Sequence, residues 1–215
     1  MLIWGNAPIL MRTNLKFIVP ADTKSPVILV TSCINGDGKS YVASNLALSL
    51  AILGKKVALV GLDIRKPMLS VYFNLNTKGH LTDYLAEPTI ELDDIIVPSG
   101  EHKNLDILPC GTIPPNPSEL LQTERVDELF AELRKRYDYI IVDSAPVAMV
   151  SDTYLLDRVA DVTIFVSRYR YTPYEMIDYL NNVIDQKRMH NVACVLNAVT
   201  NVGNYGYGYG NGNRK

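Results

Sequence analysis

The chain of 215 residues has few cysteines, no long apolar run and no surplus of basic residues. Its three cysteines, Cys33, Cys110 and Cys194, show neither a CxxC pair nor a metal-ligand spacing. This argues against a metal cluster and indicates a reducing compartment, most simply the cytoplasm. No stretch approaches the roughly 20 apolar residues that a membrane-spanning helix requires. The apolar opening MLIWGNAPILM is short and lacks a basic start, so it is a poor signal peptide and is interpreted as the start of a soluble domain, cut from a longer protein or not.

The charge balance also excludes a class of partner. The formal net charge is -2, whereas a nucleic-acid-binding domain is expected to be basic. We therefore expect no nucleic-acid partner. A hydrophobic fraction of 47% and a charged fraction of 20% are ordinary for a globular protein, and the length suits one well-buried domain.

Apolar runs of strand length alternate with amphipathic segments of helix length. The predicted strands are PVILVTS (26–32), KKVALVGL (55–62), NLDILP (104–109), DYIIVDSAP (138–146), ADVTIFVS (160–167) and NVACVLNAV (191–199). The predicted helices cover 40–54, where Gly54 ends the helix, 123–137 and 172–188, and Ser118 is expected to cap a short helix after the proline-rich CGTIPPNP. Apolar strands separated by helices predict an α/β fold, a mostly parallel sheet with helices on both faces.

A glycine-rich loop, CINGDGKS (33–40), lies directly between the first strand and the first long helix. Gly36 and Gly38 allow successive backbone N–H groups to point inward, and the helix start adds its positive end. Lys39 can bridge terminal phosphates and the Ser40 hydroxyl can ligate Mg²⁺. The sequence therefore predicts a Walker A loop, although Cys33 replaces the usual first glycine. The candidate nucleotide-binding residues of the loop are Asn35, Gly36, Asp37, Gly38, Lys39, Ser40 and Tyr41. The alternative is a glycine-rich turn with an incidental lysine.

Two aspartates follow apolar strands and are candidates for the metal and the chemistry. Asp143 ends YDYIIVD and Asp63 ends VALVGLD. A carboxylate at the carboxyl end of a buried strand beside a phosphate loop is placed to hold Mg²⁺. We therefore predict Lys39, Asp63 and Asp143 as catalytic residues and Ser40, Asp63 and Asp143 as metal ligands. The alternatives are a turn or helix-capping role for Asp143 and a solvated turn for Asp63.

Several stretches together resemble one family. VTSCINGDGKSYVASNLALSLAILGKKVALVGLDIRKP, KGHLTDYLAEP, LDILPCGTIPPNPSELL, YDYIIVDSAPV and the glycine-tyrosine tail resemble the bacterial protein-tyrosine kinases of capsule and exopolysaccharide export. The resemblance runs from about residue 10 to the end. It implies a phosphate-loop kinase domain at 1–200, with a helical segment at 1–20 and a disordered tail at 201–215. It also implies ATP and Mg²⁺ as cofactors.

The resemblance gives the tail a purpose. In such kinases the tail tyrosines, here Tyr205, Tyr207 and Tyr209, are autophosphorylated, usually by a neighbouring subunit. The resemblance further implies a homo-oligomer such as a ring, a membrane co-polymerase segment as activator and a cognate tyrosine phosphatase. It places the domain in the cytoplasm at the inner face of the membrane. By resemblance to related nucleotide-binding folds, Asn197 contacts adenine. An inert tail is the alternative.

Two departures from the family pattern bear on activity and assembly. The family's A′ motif carries two aspartates separated by one residue, and Gly61 stands at the first position here. The amino-terminal helix of the family carries Glu-x-x-Arg-x-x-Arg for subunit contacts, and this chain keeps only Arg12. These departures leave a catalytically weak nucleotide-binding module as one alternative. A septum-site or partition-type ATPase switch is another, but it requires a lysine where Ile34 stands.

Overall fold

The computed structural model describes residues 7–75 and 79–199. The strands are β1 (Val27–Ser32), β2 (Val57–Leu62), β3 (Val97–Pro98), β4 (Leu105–Leu108), β5 (Tyr139–Ser144), β6 (Val162–Arg168) and β7 (Val192–Asn197). The helices are α1 (Ala7–Ile18), α2 (Lys39–Ile52), α3 (Leu69–Tyr72), α4 (Leu81–Ala86), α5 (Pro117–Leu120), α6 (Glu124–Arg136), α7 (Asp152–Leu155) and α8 (Glu175–Asp185), with a 3₁₀ turn at Leu92–Asp94.

The strands form one sheet in the order β3-β4-β2-β5-β1-β6-β7. All neighbours are parallel except β3 and β4, which are antiparallel. The predicted fold class is therefore confirmed, and all six predicted strands form. The seventh, β3, was not predicted.

The two faces of the sheet bury separate apolar clusters. One cluster includes α1, α2 and α3, and the other includes α4, α6 and α8. The strands β1 and β2 are buried at every residue because helices cover both faces, as their non-alternating sequences predict. This rigid sheet fixes the loops at its carboxyl edge, where ligands bind in open parallel sheets.

Helix boundaries follow local chemistry. Gly54 has a positive φ of 86° and its N–H donates to the carbonyl of Ala51, so α2 ends as predicted. The prediction of Ser118 as a helix cap is wrong. Asn116 occupies the capping position of α5 because Pro117 begins the helix, and the Ser118 hydroxyl donates to Asp152 at 2.6 Å instead.

The interior strand β6, which lies between β1 and β7, offers a test of core packing. Phe165 is fully buried, so Phe165→Ala leaves a cavity and should lower the free energy of unfolding by about 3–5 kcal/mol. Urea denaturation followed by circular dichroism measures this change. The control is Ile52→Ala on α2, where the side chain is 53% exposed and the change should stay within about 0.5 kcal/mol. Equal effects of the two substitutions would contradict this description of the core.

Candidate nucleotide-binding and catalytic site

The phosphate loop leaves the central strand β1 and enters α2 at Lys39. Gly36 and Gly38 both have positive φ, 93° and 97°. A Cβ atom at Gly36 would lie 2.5 Å from the Tyr171 hydroxyl, and one at Gly38 would lie 2.2 Å from Asn197 Nδ2. Both positions therefore favour glycine for their backbone conformation, and a side chain there would also displace the ends of the Tyr171 and Asn197 side chains. The start of the 14-residue α2 supplies the backbone N–H groups and the positive end that favour phosphate.

Lys39 lies between the two predicted carboxylates. Its Nζ atom is 2.5 Å from Asp63 Oδ2, 3.7 Å from Asp143 Oδ1 and 3.3 Å from Ser40 Oγ. Burial alone would lower the pKa of Lys39, but the attraction of Asp143 and Asp63 outweighs it and raises that pKa. The ammonium is therefore charged and held at the mouth of the phosphate loop.

Asp143 lies near the carboxyl end of β5, in register with Gly61 of β2 and Val30 of β1. Its side chain is fully buried, and burial raises the pKa of its carboxyl to about 6 although Lys39 and Ser40 oppose the shift. Its Oδ1 atom accepts no hydrogen bond from any residue that the structure describes. A buried oxygen without a donor fits a cation ligand.

These residues therefore fit a Mg²⁺ ion that they would coordinate together with phosphate oxygens. Within residues 7–75 and 79–199, no group of three or more His, Cys, Asp or Glu side chains could hold a metal by itself. Two carboxylates and the Ser40 hydroxyl would complete their coordination with nucleotide and water, as is usual for Mg²⁺. Ser40, Asp63 and Asp143 remain the predicted ligands.

Asp63 is fixed by the turn that follows β2. Its Oδ1 atom accepts the backbone N–H of Lys66 at 3.0 Å, and its Oδ2 atom accepts Lys39. Gly61, two residues earlier, faces Leu69 and Cys110, and a Cβ there would lie 3.3 Å from the Cys110 backbone nitrogen. The chain therefore brings two carboxylates, from Asp63 and Asp143, to Lys39 and has a closely packed glycine at position 61.

A further network next to Asp63 was missed by the sequence analysis. Arg65 donates to buried Asp152 through Nε at 2.8 Å and Nη2 at 3.3 Å, and Ser118 donates to the same carboxylate. Burial would raise the pKa of Asp152, but these donors outweigh it and lower the pKa. The network ties the turn after β2 to α5 and α7. The sequence signals were Arg65 itself and the IPPNPSELL stretch, but nothing local paired either with Asp152.

The remaining predicted nucleotide residues lie around the outer side of the loop. Asn197 Nδ2 donates to the Asp37 carbonyl at 3.0 Å, and its Oδ1 accepts the Ala198 N–H. Asn35 accepts the Tyr171 hydroxyl through its carbonyl at 3.1 Å. Tyr41 lines a groove of about 550 Å³ between α1, the start of α2 and β7, together with Asn197. The structure thus brings every predicted site residue of the described chain to one edge of the sheet.

The tail tyrosines Tyr205, Tyr207 and Tyr209 lie outside the described residues. The amino-terminal arginine is described. Arg12 on α1 donates to the backbone and hydroxyl oxygens of Ser49 on α2, at 2.8 and 3.2 Å. Arg12 therefore fastens α1 to α2 within the chain. Among the helices described, none has the length and apolarity to cross a membrane.

Comparisons with known proteins show the family to which the chain belongs. A family model described as an AAA domain matches residues 25–194. The tyrosine-protein kinase YwqD of Bacillus subtilis is 38% identical over 156 residues, which cover 73% of this chain and 65% of YwqD. The tyrosine-protein kinase CpsD of Streptococcus agalactiae is 31% identical, with 91% of this chain and 83% of CpsD covered.

A solved structure gives the same result. The kinase domain of the Escherichia coli tyrosine kinase ETK has a TM-score of 0.84 and 29% identity, with 95% of this chain and 79% of that chain covered. The chain spans 65% of YwqD and little more than a quarter of several longer curated kinases. Its phosphate-loop fold implies nucleotide binding, typically with Mg²⁺. From its sequence, its fold and the geometry of its site, the chain belongs to the bacterial tyrosine-protein kinase family.

Proposed function

We propose that the chain is an ATP- and Mg²⁺-dependent protein-tyrosine kinase domain that phosphorylates tyrosines of its own tail, Tyr205, Tyr207 and Tyr209. The observation that carries the proposal is the position of Lys39, 2.5 Å from Asp63 and 3.7 Å from Asp143 at the entrance of α2. One cation and two acids beside a phosphate loop are what phosphoryl transfer needs for charge neutralisation and positioning.

The nucleotide would lie along the loop. Its phosphates would contact backbone N–H groups of residues 35–41 and the ammonium of Lys39, and Ser40, Asp63 and Asp143 would hold Mg²⁺. Bound Mg²⁺ would neutralise phosphate charge. The groove of about 550 Å³ beside Tyr41 and Asn197 has the size of a small-molecule site and would take the base. Asn197, which lines the edge of this groove, would contact the adenine.

The transfer step needs a group that accepts the phenolic proton. A tyrosine hydroxyl has a pKa near 10, so it is neutral when it approaches the γ-phosphorus. A bond forms between the phenolic oxygen and phosphorus, the bond to the ADP oxygen breaks, and the phenolic proton must leave. When Lys39 turns to the phosphates, Asp63 Oδ2 would lose its donor, and a carboxylate that holds Mg²⁺ through one oxygen keeps a lone pair on the other oxygen for the proton. Asp63 is therefore our candidate for the proton acceptor.

The proposed setting follows the family. The chain would work in the cytoplasm at the inner face of the membrane, with a fused or separate membrane co-polymerase segment as activator. Neighbouring copies would phosphorylate one another, and a tyrosine phosphatase would reset the tail. Each phosphorylated tyrosine adds roughly 1.5–2 negative charges near pH 7. Charge repulsion on a heavily phosphorylated tail would favour release from an assembly that regulates polysaccharide synthesis and export.

The alternatives receive less support. A septum-site type of ATPase switch needs a lysine at position 34, and Ile34 is instead partly buried against the apolar core. A weak regulatory module is favoured by Gly61, because within residues 7–75 and 79–199 only the carboxylates of Asp63 and Asp143 lie within 4 Å of the Lys39 ammonium. Labelled ATP separates the three: tyrosine labelling supports a kinase, and free phosphate with unlabelled protein supports a switch. Nucleotide binding with neither product supports a regulatory module.

The tail provides a direct test of the acceptors. Replacing Tyr205, Tyr207 and Tyr209 together by phenylalanine should lower phosphate incorporation by about tenfold or more, because the phenolic oxygens are removed while the cleft is untouched. Incorporation of labelled phosphate on tyrosine measures the effect. The matched control is Tyr174→Phe, which changes a tyrosine that is 77% exposed outside the tail and should leave incorporation unchanged.

The same variant distinguishes transfer within a chain from transfer between chains. The triple-phenylalanine protein keeps its cleft, and a Lys39→Met protein keeps its tail. Mixed together, they should label only the Lys39→Met chain if transfer occurs between subunits. Undiminished labelling of the triple variant alone would contradict the assignment of the acceptors.

A further inference from the structure

The backbone carbonyls of the phosphate loop are held from outside the loop. Three consecutive carbonyls, those of Asn35, Gly36 and Asp37, each accept a hydrogen bond from a side chain of another segment. The donors are Tyr171 Oη at 3.1 Å, Arg168 Nη1 at 3.1 Å and Asn197 Nδ2 at 3.0 Å, respectively. All three donors come from the carboxyl ends of β6 and β7 or the connection that follows β6.

These bonds set the direction of the phosphate-facing groups. In a planar trans peptide, the carbonyl of one residue and the N–H of the next point in opposite directions. Holding the carbonyls of residues 35–37 outward therefore turns the N–H groups of Gly36, Asp37 and Gly38 the other way. A concave row of N–H groups is the part of a phosphate loop that recognises an anion. The outer contacts thus fix the geometry of the inner surface.

The Asp37 side chain belongs to the same outer arrangement. Asp37 is fully buried, its Oδ1 accepts the Thr172 hydroxyl at 2.7 Å, and its Oδ2 accepts the Ile34 N–H at 3.3 Å. The Thr172 hydroxyl oxygen in turn accepts a hydrogen bond from the backbone N–H of Arg168 at 2.6 Å. A continuous path of hydrogen bonds therefore leads from the end of β6 through Thr172 and Asp37 to the start of the loop. The Asp37 carboxylate therefore holds the outer side of the loop. The backbone N–H of Asp37 is left to contact the phosphates.

We infer that Thr172, acting through Asp37, and Arg168, acting through the Gly36 carbonyl, are positioning residues for the nucleotide phosphates. The inference rests on the proposed nucleotide-dependent function. It assigns a role in nucleotide binding to two residues outside the sequence motifs of that site. Both residues act at a distance from the reacting atoms, so their loss should weaken nucleotide binding more than the turnover of bound substrate.

The Thr172→Val substitution tests this with little change in volume. It removes the hydroxyl donor to Asp37 while Thr172→Ser keeps it. We expect Thr172→Val to weaken binding of MgADP by about tenfold in calorimetry and to raise the KM for ATP in proportion, with a much smaller change in kcat. Thr172→Ser should restore both values to within about twofold of wild type. A role confined to folding would lower Tm and leave the MgADP Kd and the KM unchanged, which would overturn the inference.

A second substitution decides the question if Thr172→Val does not fold. Arg168 is exposed, and Arg168→Gln removes the bond to the Gly36 carbonyl without disturbing the core. Its matched control is Arg170→Gln, which removes the same charge and a similar stacking contact two residues away, because Arg168 lies over the Tyr171 ring and Arg170 over the Tyr169 ring. We expect Arg168→Gln to weaken MgADP binding by roughly threefold to tenfold and Arg170→Gln to change it by less than twofold.

The outcomes separate this inference from the proposed function. Wild-type protein that fails to bind MgADP would overturn both. Wild-type protein that binds MgADP, with Arg168→Gln and any folded Thr172→Val protein binding equally well, would overturn the inference alone. Equal weakening by Arg168→Gln and Arg170→Gln would also overturn it, because the effect would then reflect net charge and not the bond to the loop.

Discussion

Lys39→Met should reduce tyrosine phosphorylation by about a thousandfold or more. The substitution removes the Lys39 ammonium, which lies at the mouth of the phosphate loop, where it is 7% exposed and charged. Loss of a single preorganised donor to a transition-state anion typically lowers kcat by roughly 10²–10³-fold. Lys39 also contributes a full positive charge. Incorporation of labelled phosphate into a tail-bearing chain measures the loss.

Lys39→Met has a second consequence that needs its own measurement. It leaves Asp63 and Asp143 buried together without a cation, and breaking a buried pair in this way typically costs about 3–5 kcal/mol. We expect a lower Tm, so activity is assayed well below the Tm of the variant. The matched control is Lys103→Met, an exposed lysine between β3 and β4, which should leave incorporation unchanged. Retention of a tenth or more of wild-type activity by Lys39→Met would contradict the role of Lys39.

Asp143→Asn should abolish most Mg²⁺-dependent activity without weakening the fold. The amide keeps the shape of the side chain but removes the negative charge that a divalent ion requires, so we expect a loss of about a hundredfold or more. Stability should change in the opposite sense. Burial raises the pKa of Asp143 to about 6 from an ordinary value of 3.8, so its charge opposes folding at neutral pH.

The pH dependence of stability checks the second half of this expectation. A carboxyl whose pKa is raised by folding contributes stability below its ordinary pKa, and this contribution is lost as pH rises through the folded value. Wild type should therefore lose stability relative to Asp143→Asn between about pH 4 and 6 and remain lower at pH 7. Thermal denaturation across this range measures the difference. A Tm at pH 7 clearly lower for Asp143→Asn than for wild type would contradict the account.

The part of the site that the sequence predicts depends on strand ends. Parallel strands bring their carboxyl ends to one edge, so an apolar run that ends in Asp63 and another that ends in Asp143 converge wherever β2 and β5 are neighbours. β2 and β5 are indeed parallel neighbours, with Gly61 opposite Asp143. Lys39 follows from the loop motif. Local sequence therefore carries the Lys39–Asp63–Asp143 cluster and the fold class together.

The contacts that the sequence did not predict join distant segments through single side chains. Thr172 and Asp37 are 135 positions apart, and Arg65 and Asp152 are 87 apart. No periodicity or motif marks such pairs, because each depends on how loops meet after the sheet has formed. The strand β3 was missed for a different reason. It has two residues, one of them Pro98, and proline is poor evidence for a strand except at an edge.

The short distance between Lys39 and Asp63 makes nucleotide entry an exchange of counterions. Before entry, one ammonium faces two carboxylates in a setting that water scarcely reaches. A triphosphate that draws the ammonium away leaves those acids repelling both each other and the incoming anion. A divalent ion bound with the triphosphate would remove that repulsion, so the pocket would favour metal-loaded over bare nucleotide before any phosphoryl group moves.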